Sequence, residues 1–189
     1  MQGHKYAISR YKSGSHLMAY VNANTHKLKI NEETDFLLVV NLDVARKALA
    51  VNTAQFFMLE KLTTKPFVDN GEFSMIGECT TPWPCFVIAS TNQFIDQHQD
   101  VLHRILSMVN LSCLMLKNNS QTPALIAARY GIQEADAMLW FNELEYANHP
   151  EMNELEWTHI LGKLKQFNII DSIPELTEIC YAPNIELVG

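Results

Sequence analysis

Apolar and polar positions along the first half of the chain alternate between two periods. Short β-branched or aromatic runs at Tyr6–Ser9, Phe36–Val40 and Gln55–Leu59 read as buried strands. Between them, His16–Lys27 and Leu42–Val51 repeat apolar residues at helical spacing. In the second of these helices Leu42, Ala45 and Leu49 form the stripe, and Asn41 stands where an N-cap belongs. Strand–helix–strand alternation predicts parallel strands joined by helical crossovers, an α/β class. "EKLTTKPFVDNGEFSMIGE" then predicts a short helix stopped by Pro66, a turn at Asp69–Gly71 and a strand near Phe73–Gly77.

The texture changes after Thr80–Pro84, "TTPWP", whose two prolines forbid both a helix and a central strand. This stretch predicts an extended connection between two bodies. Cys85–Ser90, "CFVIAS", reads as one more buried strand, and Asn92–Asn118, Pro123–Tyr130, Gln133–Tyr146 and Glu154–Phe167 all carry helical spacing. Breaks are expected at Asn118–Asn119, Gly131 and His149–Pro150. A lone parallel strand needs neighbours to pair its backbone groups. The second half therefore predicts that an upstream segment, or another copy of the chain in a homo-oligomer, supplies the rest of a sheet.

Composition narrows the function classes. With 189 residues, 48% hydrophobic and 19% charged, the chain suits a folded domain or two small ones. A net charge of −7 gives no general attraction to nucleic-acid phosphates, so nucleic acid is not expected as a partner. "MQGHKYAISRYK" lacks the apolar core of a secretory signal, and the sequence as it stands reads as cytoplasmic; a natural start further upstream would reopen a periplasmic location. Cys79, Cys85, Cys113 and Cys180 have no metal-ligand spacing and read as reduced thiols, with a Cys79–Cys85 pair conceivable in an oxidising compartment. No metal and no cofactor are expected.

Candidate chemistry concentrates where the first strand turns into the first helix, in "ISRYKSGSHLMAY". A helix start leaves N–H groups unpaired and carries partial positive charge, so Ser13-Gly14-Ser15 can present backbone donors and two hydroxyls to an oxyanion. Gly14 lets a ligand approach the main chain closely. The plainer reading is that Ser13 or Ser15 only caps a helix. In parallel α/β sheets ligands bind beyond the carboxyl ends of the strands, and Asn41, Glu60, Thr63 and Thr64 fall on that same rim. Glu60 beside Lys61 is open to a solvated ion pair as well as to ligand contact, and His16 to a surface position as well as to ligand contact. Trp83, between prolines, offers a ring to stack on a ligand or to pack against the second body. The motifs GxSxG, HExxH and GxxxxGK[ST] are all absent, so no enzyme is expected.

"ISRYKSGSHLMAY", "LEKLTTKPFVD" and "GEFSMIGECTTPWPCFVIAS" together resemble the type 2 periplasmic-binding-protein superfamily, most closely its Ca3427-like group. The resemblance covers most of Tyr6 to Tyr146. That group is similar to the solute-binding components of transporters for sulfonates, nitrate and thiamine-pyrimidine precursors. It implies a two-lobed fold closing on a small molecule, with an ABC transporter permease as a possible partner. Residues 1–80 would form lobe two, 81–84 a crossover hinge, and 85–189 the mainly helical C-terminal part of lobe one. Family members begin with a further segment that builds most of the first lobe's sheet. The resemblance makes Ser9, Arg10, Ser13, Gly14, Ser15 and His16 the ligand-facing loop, with Asn41, Glu60 and Trp83 beside it. Gln55 and Leu59 stand where the family usually carries an Asp and a Trp, which leaves the ligand's identity open.

Two other classes remain. Fungal enzymes of thiamine-pyrimidine synthesis share this fold, but they carry a cysteine-rich motif and use pyridoxal phosphate, whereas this chain has only "ECTTPWPC". An interaction protein that binds no ligand, self-associating through exposed apolar edges, is the third.

Overall fold

The computed structural model describes residues 4–84, 86–147, 152–181 and 185–186. Cys85, with any Cys79–Cys85 pairing, and the expected break at His149–Pro150 lie outside the described residues. The chain divides into two compact units, Met1–Pro84 with Leu155–Leu176, and Cys85–Glu154 with Thr177–Gly189. Leu155–Leu176 thus groups with the α/β unit, not with the helical remainder in which the sequence placed it.

The first unit is built on a three-stranded parallel sheet in the order β2-β1-β3, with β1 Tyr6–Ile8, β2 Phe36–Leu38 and β3 Phe56–Phe57. Tyr6 lies opposite Phe36 on one side and Phe56 on the other. β1 is buried on both faces because its side chains alternate across the sheet. Ala7 faces a layer of Val39, Ala45, Ala48 and Ala54, supplied largely by α2 (Leu42–Ala50). Tyr6 and Ile8 face the opposite way, onto Phe36 and onto Ala19 of α1 (Gly14–Thr25). Small alanines on the α2 side let that helix lie close to the sheet, while aromatic rings fill the α1 side. The Tyr6 hydroxyl accepts a 3.0 Å bond from Asn22 Nδ2, which ties α1 to the central strand.

Helix α3 (Lys61–Asp69) runs through Pro66, so the expected stop there is corrected. The ring removes one N–H and one i→i−4 bond, but the Glu60 side chain caps the first turn and the chain turns at Asn70 and Gly71, where φ is +80°. The expected strand near Phe73–Gly77 does not form; Phe73 instead donates its N–H to Phe67 O at 2.8 Å, folding the chain back on α3. Arg46 of α2 clips this return with a bidentate bond to Glu72 at 2.6 and 2.8 Å, its guanidinium lying 4.6 Å from the Phe67 ring centre. Helix α8 (Glu154–Gln166) and the turn after it complete the unit, with Phe167 stacked 5.6 Å from Tyr20 at an interplanar angle of 12°.

The second unit holds α4 (Asn92–Gln97), α5 (Gln99–Asn118), α6 (Thr122–Tyr130) and α7 (Glu134–Glu143), a short α9 (Leu176–Ile179), and a two-stranded parallel pair, β4 (Met152–Asn153) with β5 (Ile185–Glu186). The long helix expected over Asn92–Asn118 breaks at His98, which adopts a non-helical conformation. Gly131 ends α6 in the left-handed region at φ +65°, as its position predicts. Thr122 is fully buried and donates its hydroxyl to Leu116 O at 2.7 Å, locking the α5–α6 corner. Phe86–Ser90 forms no strand among the described residues and is exposed throughout, with Phe86 95% accessible. The strand expected there is therefore corrected: over Phe86–Ser90 the apolar run pairs with no strand among the described residues.

Ile8 is fully buried at the centre of the sheet. Ile8→Ala is expected to lower unfolding stability by about 3 kcal/mol, the range for a core Ile truncation, with an unchanged denaturant slope in urea melts followed by circular dichroism.

Candidate functional site

Three parallel strands place three loops at one rim of the first unit, and each loop leads directly into a helix start. β1 runs into Ser9–Ser13 and α1, β2 into Val39–Asn41 and α2, and β3 into Met58–Glu60 and α3. The central strand's loop lies between the other two because β1 lies between β2 and β3. Partial positive charge from three helix N-termini is thereby aimed at one edge.

The three helix starts are not equivalent. Asn41 Oδ1 accepts the Val44 N–H at 3.0 Å, and Asp43 in the first turn of α2 adds negative charge. The Glu60 carboxylate accepts the N–H groups of Leu62 and Thr63 at 3.0 and 2.8 Å and the Thr63 hydroxyl at 2.9 Å. Glu60 therefore serves as a cap, and Lys61 pairs with Glu78 at 2.5 Å. At α1 the Ser13 hydroxyl accepts the His16 N–H at a long 3.4 Å, and the first turn carries no acid. The backbone N–H groups of Gly14 and Ser15 have no acceptor among the described residues. Of the three N-termini, α1 is the one left most electropositive.

The hydroxyls around it form a local network. Ser13 Oγ donates to Arg10 O at 2.6 Å and lies 3.1 Å from Ser15 Oγ, which in turn accepts the Ser9 N–H at 3.2 Å and lies 3.5 Å from Ser9 Oγ. Ser13 is buried, Ser15 half-buried, and Ser9, Arg10 and Gly14 are exposed. Ser13 thus fixes the loop from inside, while Ser9, Ser15 and the Gly14 main chain face outward. A Cβ added at Gly14 would meet no atom within 4 Å, so this glycine is not needed for internal packing.

His16 shapes the loop from beneath. It is 2% exposed, with its ring 4.6 Å from Phe36, 5.0 Å from Tyr20 and 5.3 Å from Tyr11 in edge-on contacts. Its Nδ1 accepts the Lys12 N–H at 2.9 Å, and Lys12 sits in the left-handed region at φ 62°. That bond offsets a backbone geometry unfavourable for a non-glycine residue. With Nδ1 accepting, the ring proton resides on Nε2, which is buried without a partner among the described residues. Burial pushes the His16 pKa below its ordinary value, against a smaller opposing pull from Glu32. The surface position open to His16 in the sequence is therefore corrected: the residue is a core ring that fixes the loop. Trp83 lies half-buried in the segment after Thr81, whose hydroxyl approaches Met18 Sδ of α1 at 3.8 Å. The Lys12 conformation was not foreseen, because nothing in a lysine before Ser-Gly-Ser marks a left-handed residue.

A parallel sheet with a polar helix start at its central strand is a frequent ligand-binding arrangement. Residues 1–79 match the family described as Ca3427-like PBP. That match spans the sheet, all three helix starts and the Ser13–His16 turn. A solved structure described as the conserved Candida albicans CA3427 gene product, defining a family with the generic periplasmic binding protein fold, covers 98% of this chain at 20% identity with a TM-score of 0.77. At that identity the likeness establishes the fold. The chain spans 65% of the length of that structure. No curated protein matches the chain. The resemblance seen in the sequence is thus borne out over the Ca3427-like segment, which contains every expected site residue except Trp83. Among the described residues there is no group of acids, histidines and cysteines able to hold a metal ion, and no helix long and apolar enough to cross a membrane.

The neutral His16 gives a pH signature. Above the ordinary imidazole value of 6.5 both folded and unfolded chains hold it neutral. As pH falls through 6.5 the unfolded chain takes up the proton first, so stability falls and then levels once the lowered folded value is passed. His16→Asn, which keeps an acceptor near Nδ1 but cannot titrate, is expected to flatten this part of the stability–pH curve in urea melts between pH 7.5 and 5. An identical slope in both proteins would contradict the role given to His16.

Proposed function

We propose that the protein binds a small polar or anionic molecule without transforming it, and that its α1 start is the principal anchor of one wall of the binding cleft. The observation that carries this reading is the pair of unassigned N–H donors at Gly14 and Ser15, at the carboxyl end of the central strand of a Ca3427-like segment. An oxyanion there would take two main-chain bonds and the favourable end of the α1 dipole, with the Ser9 and Ser15 hydroxyls within the same loop and Arg10 exposed beside them. A neutral His16 rigidifies the loop before the ligand arrives, which lowers the ordering cost of binding. Service as the solute-binding component of an ABC transporter belongs to the same reading, supported by the fold the chain shares with periplasmic binding proteins.

Gly14→Pro tests the anchor directly. Gly14 is the first helical residue and Ser13 is extended at φ −86°, ψ 170°, so proline fits both positions while deleting one donor. Titrating sulfate, phosphate and methanesulfonate calorimetrically, we expect at least one to bind the native protein. Gly14→Pro should weaken it about tenfold or more, the value of a charge-assisted bond, without lowering the melting temperature. Equal affinity in the two proteins would contradict the reading.

A further inference from the structure

The chain holds one asparagine followed directly by glycine, Asn70–Gly71, at the end of α3. Glycine carries no side chain to block its own nitrogen, and a Cβ added at Gly71 would meet no atom within 4 Å. Both residues are exposed, so water and hydroxide reach them. The Asn70 amide is also held in place, because its Oδ1 accepts the Glu72 N–H at 2.9 Å in a turn over the glycine. That donor polarises the amide carbon and stands where a negative oxygen forming on it would be stabilised. The nucleophile within ring-closing reach of this carbon is the Gly71 main-chain nitrogen.

We propose that Asn70–Gly71 is a self-modification site, at which water converts the asparagine into isoaspartate and aspartate, and that the Arg46–Glu72 clip sets its rate. Hydroxide takes the Gly71 N–H proton, and the nitrogen attacks Asn70 Cγ. As that C–N bond forms, the Cγ–Nδ2 bond breaks; the leaving nitrogen takes a proton from water and departs as ammonia, hydroxide is regenerated, and a five-membered imide remains. Water then opens the imide. Cleavage at Cγ restores the ordinary main chain with an aspartate, whereas cleavage at the Asn70 carbonyl carbon routes the main chain through Cβ and Cγ as isoaspartate. The sum is amide plus water to carboxylate plus ammonium, with no oxidant or reductant.

The folded turn brakes the first step. Gly71 N–H donates to Val68 O at 3.1 Å and Asn70 N–H to Pro66 O at 3.2 Å. With ψ of Asn70 at 0°, the Gly71 nitrogen eclipses the Asn70 nitrogen and not Cβ, so ring closure requires rotation about the Cα–C bond. The last turn of α3 must open for that rotation, and helix ends open more readily than helix centres. The chain beyond opposes the opening, since Glu72 is fixed to Arg46 of α2 at 2.6 and 2.8 Å and Phe73 N–H to Phe67 O at 2.8 Å. The products act back on this clip. Isoaspartate lengthens the main chain by one carbon just before Gly71 and Glu72, and either product sets a carboxylate at the negative end of the α3 dipole, between Asp69 and Glu72.

Ageing the full chain at physiological temperature between pH 7 and 9, with peptide mapping by mass spectrometry, tests the proposal. The mass increment of amide-to-acid exchange is expected first in the peptide holding Asn70, as two chromatographic forms, one of which resists an aspartate-specific protease. Its rate should rise with hydroxide concentration and be faster in the urea-unfolded chain than in the folded one. Asn70→Gln, whose ring closure needs a larger ring, should lose the increment. Arg46→Gln leaves the sequence around Asn70 untouched. It should speed the folded-state reaction about fivefold, the effect of losing one well-made surface ion pair, and leave the urea-unfolded rate unchanged. Arg46→Lys keeps the charge but gives up the bidentate fork and should fall between, which preserves the test if circular dichroism shows Arg46→Gln to be poorly folded. A folded protein in which Asn70 is still unmodified after months at pH 9 would overturn the proposal. So would equal folded-state rates in the native protein and both Arg46 variants.

Discussion

The double-sided burial of β1 is the constraint from which the α/β unit follows. Tyr6, Ala7 and Ile8 have no face left for water, so helices must cover both sides of the sheet, and parallel strands with helical crossovers are the arrangement that provides them. Every crossover then re-enters from the same end, and the three helix N-termini must gather at one rim. The site is a consequence of topology before any ligand is considered. What distinguishes α1 from its neighbours is local: Asp43 stands in the first turn of α2 and the Glu60 carboxylate caps α3, whereas the first turn of α1 carries no acid and its Gly14 and Ser15 N–H groups have no acceptor among the described residues.

Core and site are joined through one ring. His16 packs in the same aromatic layer as Tyr6, Tyr20 and Phe36, yet its Nδ1 holds the Lys12 N–H that turns the binding loop. Loss of that layer would release the loop, and protonation of the ring would do so without any change in packing partners. The buried Nε2 donor costs on the order of 1–3 kcal/mol if nothing meets it, a cost accepted at a position that shapes a site and unusual elsewhere in a core.

Much of the first unit was legible because period-2 and period-3.6 patterns alternate cleanly there. The strands begin where the apolar runs begin, and Asn41 caps α2 through its own side chain, as its residue type requires. The helix start at Gly14 was legible only to within two residues, since either serine of Ser-Gly-Ser satisfies the capping pattern. Pro66 misled because a single lost bond near a well-capped start is tolerated. Phe86–Ser90 was misread for a different reason: sequence reports the tendency to form a strand, not whether a partner edge exists. Glu60, Lys12 and His16 depend on contacts that composition does not encode, and their roles emerge only from distances.

Covering 65% of the length of the CA3427 structure, the chain shares its fold, and residues 1–79 match the Ca3427-like PBP model. The claim that the α1 start is the anion anchor is tested most directly by titrating sulfate into ¹⁵N-labelled protein and following backbone amides. The account predicts that Gly14 and Ser15 show the largest saturable shifts, ahead of the α2 and α3 starts at Leu42 and Lys61. Saturable shifts centred elsewhere, with Gly14 and Ser15 unmoved, would contradict it.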